Sequence, residues 1–270
     1  MAPGRAPPRA PLTHFLCIPL VTPTSRPQLS ASLAAFHGDV TSPHGLGISG
    51  DAVRPVGTLH LTLGVMSLSK DDGLGKAVAL LQNLKPREIW ASIELPRMPG
   101  QATGAGSTAP GNGKNIAPPP LPGAVRDSGD EPRITLRGLQ SMQPASKTSV
   151  LYAPPVDQLG TLQKFCEALR DVFQQAGLMV QENRPLLLHA TVLNTVYVKG
   201  GSQGGRQGPR GRRGDKLTID AQLLLDRYED EVWMQDVQVE KIAICRMGAK
   251  KTEVDGVEDE TYEEVASAHF

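Results

Sequence analysis

Hydrophobic residues recur along the chain with two different periods, which predict an alternation of strands and helices. Continuous or alternating apolar runs predict strands over residues 13–21, 58–66, 88–95, 133–140, 148–153, 186–198, 237–245 and 262–266. Apolar positions spaced by three and four predict helices over residues 27–37, 71–84, 157–177 and 219–229. Residues 38–57 are predicted to be irregular, and the strands over 133–140 and 148–153 to pair with each other. Helices combined with antiparallel strands indicate an α+β domain.

For two of the predicted helices, the sequence also indicates which residues face the core. Between a capping Asp157 and a terminating Gly177, the apolar residues form one continuous stripe, which is typical of a helix that faces the core. In the helix over 219–229, Leu223 and Leu224 are predicted to point inward.

The acidic stretch from Glu253 to Glu264 is predicted to be a solvated turn before the last strand.

Three segments have no hydrophobic period and are rich in Gly, Pro, Ser or Arg. Residues 1–12, 97–132 and 199–216 are therefore predicted to be disordered, because such sequences bury too little apolar surface to offset the entropy of ordering. The domain prediction follows: a disordered N-terminus over 1–12, then a single domain over 13–269 that carries insertions at 97–132 and 199–216.

Composition restricts the classes of function but does not identify one. A chain of 270 residues, 39% of them apolar, can bury a sizeable core, and a formal net charge of zero means that any basic surface must be local. The three cysteines, Cys17, Cys166 and Cys245, lie far apart without zinc-type spacing, so a reducing compartment, nuclear or cytoplasmic, is expected. No apolar run approaches roughly 18 residues, so no membrane span is expected. The Pro-rich N-terminus lacks the apolar centre of a secretory signal.

Two short peptides read almost alike, one in each half of the chain. Leu59-His60-Leu61-Thr62-Leu63 and Leu188-His189-Ala190-Thr191-Val192 each place a His and a Thr two residues apart in an apolar run. Residues i and i+2 of a strand point to the same side, so each peptide offers an imidazole and a hydroxyl together. One His-x-Thr in a strand is weak evidence, but the matched pair predicts a cleft suited to acid–base chemistry on a phosphodiester.

These peptides and their flanks resemble the two-histidine (2H) phosphoesterase superfamily. The chain is similar to the eukaryotic branch of that superfamily in the runs Thr13–Leu20, Gly57–Val65, Leu188–Thr195, Cys245–Lys251 and Tyr262–Ala266. That branch includes the phosphoesterase-like domain of A-kinase anchoring protein seven and the C-terminal domain of activating signal cointegrator complex subunit one. The resemblance covers residues 13–96, 133–198 and 217–269. It implies a bilobal fold in which two pseudo-symmetric lobes line a central cleft with antiparallel sheets.

The resemblance implies catalytic roles for His60, Thr62, His189 and Thr191. One imidazole takes a proton from the attacking water, the other gives a proton to the leaving ribose oxygen, and the hydroxyls hold phosphate oxygens. The sequence leaves open which histidine is the base. Tyr197, on the same strand side as His189, and Lys199 are the candidate substrate-binding residues. No carboxylate lies within either motif, and neither a metal nor a cofactor is predicted.

The favoured function is a metal-independent phosphodiesterase acting on RNA ends or short oligonucleotides, through a 2′,3′-cyclic phosphate or a 2′–5′ or 3′–5′ diester. The alternative is a non-catalytic nucleotide- or RNA-binding module with protein partners in a transcription-coactivator or anchoring complex. The intact His/Thr pairs favour catalysis, because binding alone needs no acid–base pair. The chain is expected to be a monomer without a membrane partner. The basic insertion 199–216 is expected either to contact an RNA backbone or to be a solvated loop.

Overall fold

The computed structural model describes residues 10–43, 46–68, 72–93, 131–181, 184–198 and 217–270. The strands are β1 His14–Pro19, β2 His60–Met66, β3 Arg133–Arg137, β4 Gln140–Ser141, β5 Val150–Ala153, β6 Ala190–Asn194, β7 Val232–Gln238, β8 Lys241–Arg246, β9 Lys250–Val254, β10 Val257–Thr261 and β11 Glu264–His269. The helices are α1 Arg26–Thr41, α2 Gly73–Gln82, α3 Pro86–Ser92, α4 Thr161–Gln175 and α5 Gln222–Arg227. Antiparallel sheets with a few helices confirm the predicted α+β class.

A four-stranded antiparallel sheet carries the first of the two repeated peptides. Its strand order is β11-β8-β1-β2, so β2 lies at an edge. Leu61 and Leu63 are fully buried in the main core, whereas His60 and Thr62 are half-buried on the opposite side of β2. The period of two in an extended strand thus separates the packing residues from the polar pair.

A three-stranded sheet in the order β4-β5-β6 carries the second repeated peptide. His189 directly precedes β6, and Thr191 is its second residue. This sheet is joined to the segment before β2 by a bridge between Val53 and Leu193 and by a hydrogen bond of 2.9 Å from the Arg54 N–H to the Val192 carbonyl. The two repeated peptides, far apart in sequence, are therefore held next to each other.

Helix α4 packs against β2 and shows the apolar stripe that its sequence predicts. Its buried residues are Thr161, Leu162, Phe165, Cys166, Leu169 and Phe173. The Asp157 carboxylate accepts hydrogen bonds from the N–H groups of Thr161 and Gln163 at 2.9 and 2.7 Å, which satisfies free donors in the first turn. The chain leaves the helix through Gly177 at a φ of 70°. Asp157 and Gly177 thus act as predicted, but the helix begins at Thr161 rather than at 157, so Leu159 lies before it and is 43% exposed.

The prediction of a strand over 88–95 is wrong. The described part of this segment is helix α3, which begins at Pro86 and buries Trp90 against Phe165 with ring centroids 5.4 Å apart. The apolar residues of so short a stretch also fit a helix. Pro86, Ile89 and Trp90 follow one another at spacings of three and one, which places them on one side of a helix. Proline at the first turn is a helix-start signal, and it decides the ambiguity.

Several strand predictions were wrong in their partners or lengths. β3 pairs with β7, while β5 pairs with β4 and β6. The predicted pairing of 133–140 with 148–153 is therefore wrong for β3 and holds only at the end of the first segment, where Gln140 lies opposite Tyr152. The run 237–245 is two strands, β7 and β8, and the second motif strand is shorter than 186–198. Strand pairing depends on contacts remote in sequence, which a local pattern does not contain.

The helix predictions were also wrong at particular positions. α1 extends to Thr41, into the segment predicted to be irregular, and α5 covers six residues rather than the whole of 219–229. In α5, Leu224 is buried but Leu223 is 75% exposed, so only one of the two leucines points inward.

The predicted insertions at 97–132 and 199–216 and the predicted N-terminal segment lie almost entirely outside the described residues.

The acidic stretch 253–264 is not a simple solvated turn. It forms most of the β9–β10 hairpin, and within it Asp259 is only 8% exposed. The Asp259 carboxylate accepts hydrogen bonds from the Gly57 N–H at 3.0 Å and from Arg26 at 2.8 Å. A side chain at Gly57 would collide with the hairpin backbone, because an added Cβ would lie 2.5 Å from the Glu260 carbonyl oxygen. The hairpin therefore holds the turn that leads into β2.

We expect Asp259→Ala to lower the free energy of unfolding by roughly 1–3 kcal/mol, because Arg26 and the Gly57 N–H both lose their acceptor. Thermal or urea unfolding measures the change. The control is Glu258→Ala, whose side chain is exposed on the same strand and should change stability by less than about 0.5 kcal/mol. Equal stability of the two variants would contradict a structural role for the Asp259 contacts.

Candidate active site

Both repeated peptides contribute side chains to one small cavity of about 190 Å³ between the two sheets. The residues that line it are Arg54, Thr58, His60, Thr62, His189, Thr191, Asn194, Tyr197 and Tyr262. All four residues of the predicted catalytic set are therefore brought together. Tyr197 also lines the cavity, whereas Lys199 lies outside the described residues.

Both imidazoles are fixed by the same kind of hydrogen bond. His60 Nδ1 lies 2.7 Å from the Thr58 carbonyl oxygen, and His189 Nδ1 lies 2.8 Å from the Leu187 carbonyl oxygen. A carbonyl oxygen only accepts hydrogen bonds, so Nδ1 of each ring must carry the proton that is donated. In its neutral form each ring then has its lone pair on Nε2, at the opposite edge of the ring.

An aromatic side chain packs against each imidazole. The Phe15 ring lies 4.8 Å from the His60 ring, and the Tyr262 ring approaches His60 edge-on at 5.3 Å. On the other side of the cavity, the Tyr152 ring approaches His189 at 5.4 Å. Together with the carbonyl bonds, these contacts define the plane of each ring and leave it little freedom to turn.

The environment of His60 favours its neutral form. Burial lowers the pKa of His60 from 6.5 to about 4, and the nearby His189 and Arg54 act in the same direction. The hydrogen bond to the Thr58 carbonyl opposes this shift without cancelling it. At neutral pH the His60 imidazole is therefore able to accept a proton.

Arg54 is a buried cation whose guanidinium is incompletely paired. Its side chain is 6% exposed, and its Nη2 is buried without a hydrogen-bond partner among the described residues. Its guanidinium carbon lies 3.9 Å from the centre of the Tyr197 ring, a cation–π contact that fixes the side chain but satisfies no N–H group. Because buried charges are normally paired, the open donor indicates a place for an anion in the cavity.

Two tyrosines and an asparagine complete the cavity wall. Burial raises the pKa of Tyr262, so its hydroxyl stays protonated and able to donate a hydrogen bond. The Asn194 side chain accepts a hydrogen bond of 3.1 Å from the Val196 N–H and so begins the 3₁₀ turn that holds Tyr197. Tyr197 thus reaches the cavity from a 3₁₀ turn, and its predicted position on the motif strand is wrong.

Sequence reasoning missed Arg54, Asn194 and Tyr262 as cavity residues. Arg54 stands in a segment predicted to be irregular, and Tyr262 was assigned to the start of the last strand. One signal was available: Arg54 is a single charge within the apolar run Ala52-Val53-Arg54-Pro55-Val56, shortly before His60. A charge surrounded by apolar residues is either exposed at a turn or buried for a purpose.

The described part of the chain contains neither a cluster of metal ligands nor a helix suited to a membrane. No group of three or more His, Cys, Asp or Glu side chains there is arranged to hold a metal ion. Across the same residues, no helix combines the length and the apolar character that crossing a membrane requires.

The cysteines are unpaired thiols, and Cys17 and Cys245 lie with their sulfur atoms 3.8 Å apart beneath Phe15.

The chain belongs to the family of AKAP7 2′5′ RNA ligase-like domains, which matches residues 12–270. This confirms the resemblance to the 2H phosphoesterases and supports phosphodiesterase-type activity in general. An uncharacterized protein of Schizosaccharomyces pombe is 31% identical over 128 residues, which are 46% of this chain and 54% of that protein. The chain thus spans about half the length of this curated relative.

Solved structures similar to this chain include three from different organisms. Escherichia coli LigT complexed with 3′-AMP has a TM-score of 0.45 at 14% identity, over 96% of this chain and 98% of that one. A Thermus thermophilus protein has a TM-score of 0.46 at 16% identity, over 95% and 97% of the two chains. Kluyveromyces marxianus Usb1 has a TM-score of 0.37 at 11% identity, over 93% and 97%.

We expect the Hε1–Cε1 NMR signal of His60 to titrate near pH 4, well below the usual 6.5, because burial disfavours the charged ring. The signal is assigned by its loss in His60→Gln. Between pH 6.5 and 4 the unfolded chain binds the proton at His60 more readily than the folded chain, so this residue lowers stability as the pH falls through that interval. A midpoint at or above 6.5 would show that His60 is not held neutral.

Proposed function

We propose that this protein is a metal-independent phosphodiesterase that uses His60 and His189 as an acid–base pair on RNA ends or short oligonucleotides. The observation that carries the proposal is the cavity itself, in which two imidazoles and two threonine hydroxyls converge with a guanidinium N–H that has no partner among the described residues. The family, named for its likeness to 2′5′ RNA ligases, supports RNA as the substrate class.

The two histidines have different roles in the proposed reaction. His60 is the base, because its lowered pKa keeps Nε2 unprotonated at neutral pH. Water loses a proton to His60 Nε2 as its oxygen forms a bond to phosphorus. The bond from phosphorus to the ribose oxygen breaks, and protonated His189 gives its Nε2 proton to that oxygen. A 2′,3′-cyclic phosphate would thereby open to a monophosphate, and a linear diester would be cut in two.

The other cavity residues stabilise the phosphate as negative charge grows on its non-bridging oxygens. Thr62 and Thr191 lie two positions after their histidines, so their hydroxyls reach the same phosphate from opposite sheets. Arg54 adds the positive charge and the free N–H donor that such an anion needs. Preorganised donors of this kind usually contribute about 100- to 1,000-fold each to turnover.

We expect His60→Ala and His189→Ala each to reduce turnover of 2′,3′-cyclic AMP and of adenylyl-(2′→5′)-adenosine by about 100-fold or more. The double variant should be little worse than either single variant, because the acid and the base act as one unit. Thr62→Val, Thr191→Val and Arg54→Met should each cost about 10- to 1,000-fold, since each removes one donor to the charged phosphate. Product chromatography in the presence of a chelator gives the rates.

The control is His269→Ala, a change at an exposed histidine at the end of β11, which should leave the rate unaltered. Full activity of His60→Ala would refute the acid–base mechanism. Binding of both diesters by the wild-type protein with no turnover of either would instead assign the cavity to the alternative, a nucleotide- or RNA-binding module.

A further inference from the structure

A second cavity, of about 260 Å³, adjoins the candidate active site. Thr62 and His189 line both cavities, so the second one opens directly beside the proposed reaction centre. Its walls come from the end of β2, from α4 and from the segment 184–189. Of the four predicted catalytic residues, only these two line it, and the proposed reaction does not use the rest of its wall.

The polar part of the second cavity is basic. Arg170 and Gln174 project from successive turns of α4, and Arg184 lies across from them, whereas no Asp or Glu is among its described lining residues. The Nε atom of Arg170 is buried without a hydrogen-bond partner in the described part of the chain. An arginine N–H removed from water without an acceptor is costly, so an acceptor is expected from a ligand.

The remaining wall of the second cavity is apolar. Val65, Met142, Leu186 and Leu187 line it together with Pro185. Two arginines facing an apolar wall match the two parts of a nucleotide, an anionic phosphate and a flat base with an apolar face. An inorganic anion alone would need no such wall, and an apolar ligand would leave the buried Arg170 Nε–H without an acceptor.

We propose that the second cavity binds the nucleotide next to the scissile phosphate, with its phosphate on Arg170 and Arg184 and its base against the apolar wall. This inference rests on the proposed function. It implies that the enzyme acts on oligonucleotides and favours substrates with at least two phosphates. Arg170 contacts the substrate here without acting on the reacting bond.

The test compares two probes, adenylyl-(2′→5′)-adenosine with one phosphate and the corresponding adenosine trimer with two. Calorimetric titration should show that the wild-type protein binds the trimer about tenfold or more tightly than the dimer, the usual gain from a charge-assisted hydrogen bond. Arg170→Gln should reduce this preference to about twofold or less and leave dimer affinity unchanged. The preference should also decrease as salt is added.

The matched control is Lys164→Gln, which removes a positive charge from an exposed position of the same helix and should keep the preference. Arg170→Lys, which keeps the charge, should retain part of it and serves as the second variant if Arg170→Gln does not fold. An equal loss for both probes in Arg170→Gln, no trimer preference in the wild-type protein, or binding of neither probe would each overturn the proposal.

Turnover separates this proposal from the proposed function. If the wild-type protein binds the trimer preferentially through Arg170 but cleaves neither probe, the proposed role of the second cavity is supported and the proposed catalysis is refuted. If it binds both probes with equal affinity and cleaves them with equal kcat/KM, the proposed catalysis is supported and the second cavity does not bind the neighbouring nucleotide.

Discussion

The arrangement of the candidate active site depends on one join between the two sheets that carry the repeated peptides. The Arg54 N–H donates to the Val192 carbonyl at 2.9 Å, and Val53 bridges Leu193, so the segment before β2 is pinned to β6. This join sets the separation of the two repeated peptides and fixes the backbone that buries the Arg54 side chain. The hairpin residue Asp259 holds the following turn at Gly57, which in turn presents the Thr58 carbonyl to His60.

The same physical device appears on both sides of the cavity. A histidine on or beside a strand donates Nδ1–H to the carbonyl two residues earlier, rests against an aromatic ring and shares its side with a threonine. Burial, together with the nearby His189 and Arg54, lowers the pKa of His60, and this neutral imidazole is the base of the proposed reaction.

The sequence predicted those features that depend on local period and on motif residues. The alternation in β2, the stripe and cap of α4 and the family were all readable from the chain. The helix at Trp90 was missed although Pro86 signals its start, because alternation over a short stretch also fits a strand. The partner of β3 and the burial of Arg54 and Asp259 were not readable, because each depends on contacts with residues distant in sequence. Arg54 shows this most clearly, since its neighbours in the chain are apolar while its side chain lies among cavity residues that are distant in sequence, such as Tyr197.

The proposed mechanism requires one imidazole to be neutral while the other is charged. The most direct test is the dependence of kcat/KM on pH, measured for wild-type protein on adenylyl-(2′→5′)-adenosine with a chelator present throughout. We expect a bell-shaped profile whose acid limb is lost, along with most activity, in His60→Ala. A profile that rises or falls in one direction only, or activity that the chelator abolishes and added metal restores, would contradict it.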